Sequence, residues 1–362
     1  MKNKIDKVLL ISVILMSIFG IIMIYSSSSI WAEYKFNDPF RYLKFQSIFF
    51  IICTIIMLII SKIDVKIFKE KSNSILLICF ILLALVLIPG IGVIRNGSRS
   101  WFGVGSLGIQ PSEFAKVGLI IFVAKYLSNN QRDIKKIVRG VFPILFIIGV
   151  FFLLIMLEPD FGTGIIMVST LVVMLFISGV RLSFFMNVGV VGLTGITALI
   201  AVAPYRLARI VSFLNPWSDP LGSGFQIIQS LYAIGPGGLL GFGFGNSIQK
   251  HFYLPEPQTD FIFSIISEEF GFLGVLIVTS FFLLIFYRSL KIALKTTDLF
   301  SKYLVFGLIF GIMFQASLNL AVVVGLIPVT GVTLPFLSYG GSSLLVSMIS
   351  IGMILNVSKN NN

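Results

Sequence analysis

Ten times along this chain an apolar run of roughly twenty residues recurs, and that repetition constrains the fold more than any motif does. About 20 apolar residues in a helix span the hydrocarbon core of a bilayer. The spans fall at about 8–28, 43–61, 74–92, 112–127, 141–157, 162–178, 184–203, 261–287, 303–323 and 342–357. Only helices and closed barrels satisfy their backbone in lipid, and runs of this length select helices. The expected fold is therefore all-α: a polytopic integral membrane protein of about ten transmembrane helices, with residues 1–362 forming a single domain. Composition agrees, because only 12% of residues are charged, against roughly 25% in a soluble domain. The opening MKNKIDK resembles a signal peptide, but the apolar run behind it is too long and ends in YSSSSIWAEY. It reads as a signal anchor kept as the first span.

The net charge of +12 is a topology signal rather than a nucleic-acid one. Of the 27 basic residues, 18 fall on one set of connections, together with both termini, and that side is expected to be cytoplasmic. Of the acids, only Asp6, Asp64, Glu70, Asp133 and Asp298 lie there. The long connections lie opposite, at 29–42, 93–111, 324–341 and above all 204–260. Loops longer than a turn requires are often functional, so function is expected on the outer face.

Several chemistries have no support in the sequence. There is no GxxxxGK[ST] or GxGxxG loop, and His251 is the only histidine. A nucleotide cradle, a His-rich zinc site and a Ser-His-Asp device are thus unsupported. Cys53 and Cys79 lie inside apolar runs and read as small buried hydrophobes. Carboxylates, outer basic residues and glycine-rich loops remain.

Four stretches carry them. In RNGSRSWFGVGSLGIQPSEFAK (95–116), Pro111 suits a helix start, and Glu113 and Lys116 follow on one face. They form either a self-satisfied ion pair or the wall of an outward cavity, beside Arg95, Arg99 and Trp101, which suit phosphate binding and stacking. In LEPDFGTG (157–164), Glu158 and Asp160 form either a solvated turn, with Asp160 capping the next helix, or part of a site. The loop 204–260 has Arg206 and Arg209 at its root and six glycines within 235–245, which fit close approach to a ligand or flexing, or else only tight packing. LIPVTGVTLPFLSYGGSS (326–343) reads as a segment folded back into the outer leaflet.

Eight motifs then occur in order over nearly the whole chain: NGSRSW, QPSEFAK, EPDFGTG, NPWSDPLGSGFQIIQS, AIGPGGLLGFGFG, LPEPQTDFIF, EEFGFLG and GLIPVTGVTLPFLSYGGSS. Together they resemble the SEDS family of peptidoglycan glycosyltransferases (FtsW, RodA and SpoVE). YSSSSIWAEYKFNDPF and RNGSRSWFGVG are most similar to the SpoVE branch, with FtsW next. The resemblance implies a multi-pass protein of the bacterial cytoplasmic membrane that polymerises lipid II, in cell division or spore cortex synthesis. It implies a class B penicillin-binding protein as partner, with divisome or sporulation proteins around it and no nucleic acid. The aspartate of PExxTDF, here Asp260, is the implied catalytic residue. The family's tryptophan and its QPSExxK pair fall on Trp101, Glu113 and Lys116, and the expected substrate-binding set adds Arg99, Asp160, Arg206, Arg209, Lys250, Ser338 and Ser342. Many members have arginine directly before the tryptophan, whereas here Ser100 intervenes, so the role of Arg99 transfers less directly than that of Trp101.

Such a reaction joins a sugar hydroxyl to an α-linked donor with inversion, so a single in-line displacement and one general base suffice. The pyrophosphate leaves as a stable anion and needs cations rather than a second carboxylic acid. Basic side chains can supply them, as can a divalent cation, Mg or Mn. Glu268 and Glu269 follow Asp260 by eight and nine residues, which on a continuous helix turns them about 80° and 180° away and places them ~12 Å deeper. They cannot both share its face, and are expected to be structural charges paired to a neighbouring helix or a backbone donor. A rival reading keeps the same membrane but makes the chain a lipid II flippase, with Glu113, Lys116, Glu268 and Glu269 along the path.

Overall fold

The computed structural model describes residues 5–95, 97–104, 107–134, 136–202, 213–222 and 224–359. It is a helical bundle: α1 (Lys7–Phe36), α2 (Arg41–Ile60), α3 (Val65–Val86), α4 (Pro111–Asn129), α5 (Phe142–Leu157), α6 (Phe161–Ile177), α7 (Leu182–Val202), a short α8 (Phe225–Ile234), α9 (Ile262–Lys295), α10 (Leu299–Val323) and α11 (Gly341–Lys359). A helix lies on each expected span. Among the described residues six stretches are both long and apolar enough to cross a membrane: α1, α2, Arg139–Leu157, α9, α10 and α11. Side chains that would be core in a soluble protein are exposed along the outside, such as Ile48, Ile51, Ile52 and Ile55 on α2. They face lipid, which is as apolar as they are.

Several boundaries differ from the sequence reading. Helix α1 has 30 residues and carries the serine run inside it. At 1.5 Å per residue it is longer than the ~30 Å hydrocarbon core, so Trp31, Tyr34 and Lys35 stand at its projecting end. Helix α3 starts at Val65, capped by the Asp64 side chain on Lys66 N. The loop between α3 and α4 is not irregular. It forms a small antiparallel sheet of β1 (Val93–Arg95), β2 (Ser98–Val104) and β3 (Leu107–Ile109), in the order β1-β2-β3.

The eighth span is the largest departure, because the continuous helix expected over 261–287 is broken. Gly271 sits at φ 59°, ψ −154° inside α9. Every residue from Ile262 to Glu269 is buried, whereas Phe272, Leu273, Leu276 and Ile277 beyond the break are exposed. A break leaves backbone groups without helical partners, and lipid offers none. The glycine-rich loop supplies them: Phe242 N and Gly243 N donate to the carbonyls of Glu268 and Glu269 at 3.0 and 2.9 Å, and the carbonyls of Gly238 and Leu239 accept from Phe272 N and Leu273 N at 2.9 and 3.1 Å. A side chain at Gly241 would meet the Glu269 carbonyl at 2.3 Å. Here the glycines serve backbone contact, the plainer of the two sequence readings.

The stretch between α10 and α11 enters the bundle as expected of a folded-back segment. Leu334, Phe336, Leu337 and Ser338 are buried. A Cβ on Gly20, midway along α1, would stand 2.6 Å from the Phe336 carbonyl oxygen.

Candidate active site

Around the N-terminal end of α9, four segments meet through side-chain amides of α10. Asn319 Nδ2 donates to the backbone carbonyls of Asp260 and Val332, both at 2.7 Å. One turn earlier, Gln315 Nε2 donates to Thr333 O at 3.1 Å, and its Oε1 accepts from Lys116 Nζ at 2.8 Å. Lys116 Nζ also donates to Glu113 Oε1 at 2.9 Å. One face of α10 thus ties Asp260, the folded-back segment and the start of α4 into one polar seam. Gln315 and Asn319 are absent from the sequence-derived site. Their signal was two amides four residues apart inside an apolar span, where a polar side chain needs a partner or a task.

Asp260 sits on the turn entering α9 and is partly exposed. Gly331, at φ 71°, opposes it, and a Cβ there would stand 3.9 Å from Asp260 Oδ2. Two acceptors of the same wall, Asn319 Oδ1 and Thr330 Oγ1, are buried without a partner. Buried polar atoms are rarely left so, and here they mark unused capacity for a water or a ligand. Glu113 and Lys116 face inward to a cavity of about 30 Å³ that Ile120, Thr170, Gln315 and Ser350 also line. Such a space takes about one water.

The remaining candidates divide. Arg99 and Trp101 are half-buried on β2. Arg99 pairs with Ile94 and Trp101 with Val93, so a bulge at Ser100 breaks the alternation between them and does not bring the two side chains to one face. Arg95 covers the Trp101 ring at 4.8 Å, a cation–π contact. Asp160 is the N-cap of α6 through Thr163 N at 3.1 Å, and its Oδ2 accepts from Gln110 Nε2 at 2.9 Å and Ser112 Oγ at 3.3 Å. Ser342 Oγ donates to Gly108 O at 3.0 Å and accepts from Gln110 N at 3.1 Å. Ser338 Oγ accepts from Leu334 N at 2.8 Å within the folded-back segment. These three groups hold the wall of the seam. Arg206 and Arg209 lie outside the described residues.

Lys250 does not sit at an open site. It is buried, with Nζ 3.2 Å from Glu269 Oε1 and 3.4 Å from Ser26 Oγ. Glu269 Oε1 also accepts from Ser26 Oγ at 2.6 Å. Glu268 accepts from Ser247 Oγ at 2.5 Å and from Ile248 N at 2.8 Å. Both glutamates are anchors, and the loop carrying Lys250 is what they hold. An ammonium this buried needs its carboxylate, which accounts for its placement better than substrate binding does.

Glu158 also departs from the solvated turn of the sequence reading. It is fully buried, and neither carboxylate oxygen has a hydrogen-bond partner. Burial, with the Asp160 charge beside it, pushes its carboxyl up to about 9. Among the described residues no three His, Cys, Asp or Glu side chains come together as a metal cage.

A family model described as cell cycle protein, for FtsW, RodA and SpoVE, matches residues 6–362. The chain is 52% identical over 358 residues to stage V sporulation protein E of Bacillus subtilis strain 168, covering 99% of this chain and 98% of the relative. It is 42% identical to a probable peptidoglycan glycosyltransferase FtsW of Geobacter sp. strain M18, covering 98% and 96%. Among solved structures, it is similar to a chain of a peptidoglycan synthase complex described as coordinating polymerization and crosslinking, with TM-score 0.79, 29% identity and 99% and 98% coverage. The rod shape determining protein RodA of Thermus thermophilus matches with TM-score 0.73 and 27% identity, covering 99% and 97%.

Proposed function

Because the chain belongs to the FtsW, RodA and SpoVE family, we propose that this multi-pass membrane protein, a peptidoglycan glycosyltransferase, polymerises lipid II at the outer mouth of its bundle with Asp260 as general base. One observation carries the assignment: Asp260 is partly open at the lip of the seam, while Glu268 and Glu269 are sealed at 1% and 0% exposure. A base must reach a substrate hydroxyl, and only an accessible carboxylate can do so.

The carboxylate takes the proton of the acceptor sugar's 4-hydroxyl as its oxygen attacks the donor's anomeric carbon. The undecaprenyl pyrophosphate leaves from the opposite side, which inverts the centre. Position supports an ionised Asp260, because it precedes the N-terminus of α9, whose dipole favours an anion. Arg99 and Trp101, both carried by β2 at the outer loop, suit the pyrophosphate and a sugar ring respectively. A divalent cation would depend largely on oxygens of the pyrophosphate itself, and no step requires one here. A class B penicillin-binding protein that crosslinks the strands is the fitting partner, in keeping with the synthase complex among the structural relatives. The surplus of basic residues on one set of connections supports a reading with both termini in the cytoplasm and the site outside.

The test is polymerisation of purified lipid II by the chain with its partner. Asp260→Ala and Asp260→Asn should abolish polymer while the complex still assembles. Full polymerisation by Asp260→Ala would overturn the assignment. The flippase reading draws on Glu113, Lys116, Glu268 and Glu269, each of which already has a protein partner. Lipid II translocation that depends on Lys116 and not on Asp260 would revive it.

A further inference from the structure

The opposite end of α9 carries a feature that polymerisation does not use. Asp6, the N-cap of α1, accepts from Leu9 N at 3.0 Å and from Arg288 Nε at 3.0 Å, and Arg288 Nη2 approaches it to 2.5 Å. This clamp forms the floor of a cup of about 330 Å³, lined also by Ile5, Lys7, Val8, Lys291, Ile292, Lys295 and Ser358. Four cations therefore face one carboxylate, which the Arg288 guanidinium already neutralises. Lys7, Lys291 and Lys295 are exposed at the rim. Among the described residues none of these three ammonium groups has an ion-pair partner.

Simple enrichment of positive charge at a helix end needs no cavity, and here a concave one has formed between α1 and α9. Its mouth continues into an apolar track. Val8, Ile11, Leu15, Ile18 and Ile22 recur at three- and four-residue steps along α1 and are all exposed. Leu283, Leu284, Tyr287 and Leu294 of α9 are exposed as well. Phosphate chemistry at the cup and acyl-chain chemistry along the track occur together in one class of ligand. We propose that the cup binds the phosphate of an anionic phospholipid in the leaflet at this face, with Lys7, Lys291 and Lys295 as its ligands and Arg288–Asp6 as the fixed floor. Basic pockets between transmembrane helices recognise lipid headgroups by this kind of charge complementarity.

The test uses the full-length chain in neutral detergent, read by native mass spectrometry for bound lipid and by Tm. Phosphatidylglycerol should add one saturable adduct and raise Tm, because a ligand that binds the folded state stabilises it. Phosphatidylcholine should do neither. The rim variant Lys291→Gln/Lys295→Gln should weaken binding about 30-fold, since each lysine is worth roughly 1 kcal/mol at an anionic lipid. The charge-matched variant Lys62→Gln/Lys66→Gln, on exposed residues of another connection at the same face, should bind within about twofold of the parent. Equal losses from the two variants, or no loss from the rim variant, would overturn the site. Equal stabilisation by glycerol 3-phosphate would overturn the lipid assignment in favour of a soluble phosphate.

Discussion

The two ends of the buried stub Ile262–Glu269 treat their carboxylates in opposite ways. At its start Asp260 is partly exposed, and Asn319 holds its backbone carbonyl. At its end Glu268 and Glu269 are sealed and bound by Ser26, Ser247, Ile248 and Lys250. Eight and nine residues separate the proposed base from the two carboxylates that hold the loop. The contrast teaches how a membrane protein can hold an accessible carboxylate in place. The second end locks the stub to the glycine-rich loop and α1, so the first end can stay open without moving.

The largest expected effect breaks the open end. Asp260→Asn should cut polymerisation by at least ~10²-fold, the usual scale for losing a general base, with Tm nearly unchanged. A comparable fall in Tm would mean that Asp260 is structural too. At the closed end, Glu269→Ala leaves Lys250 buried and unpaired, a loss of about 3–5 kcal/mol. It should appear as reduced folded yield, with activity per folded molecule largely kept. Lys250→Met/Glu269→Gln should recover part of that loss, and no recovery would deny that the pair acts as one unit. The break itself is tested by Gly271→Ala, which forces a side chain into positive φ and onto Gly241 N at 2.5 Å. A cost of roughly 1–3 kcal/mol is expected, read as a lower Tm, and an unchanged Tm would show that the break is not specified.

Glu158 gives the smallest and most pH-specific test. Its carboxyl is near 9 in the fold against an ordinary 4.5, because burial and then Asp160 disfavour the charge. Between those values the unfolded chain has released a proton that the folded chain keeps, so stability falls as pH rises through the window. Glu158→Gln removes that pH dependence. Its Tm should exceed the parent's more at pH 8 than at pH 5, and identical pH slopes would show that the group is charged in the fold.

Much of this was legible before folding was considered. Apolar runs placed the helices, since only length and hydropathy decide what crosses a bilayer. The PExxTDF position marked Asp260, and the carboxylate spacing separated it from Glu268 and Glu269. The function of Lys250 was not legible, because its partners come from Glu269 and, 224 residues away, Ser26. The burial of Glu158 was hidden for a related reason: an EPD turn looks solvated until β2 closes over it, where Ser98 Oγ donates to the Glu158 carbonyl.

The sequence by itself determined a polytopic helical bundle and the side on which its loops lengthen. These depend on local composition and period, which survive without any tertiary contact. The tertiary structure alone decided that α9 breaks at Gly271, that both glutamates are anchors and that Gln315 and Asn319 organise the site. A helix in lipid can break only where another segment meets its freed carbonyl and amide groups. Which segment does so is a matter of three-dimensional proximity, and no stretch of sequence states it.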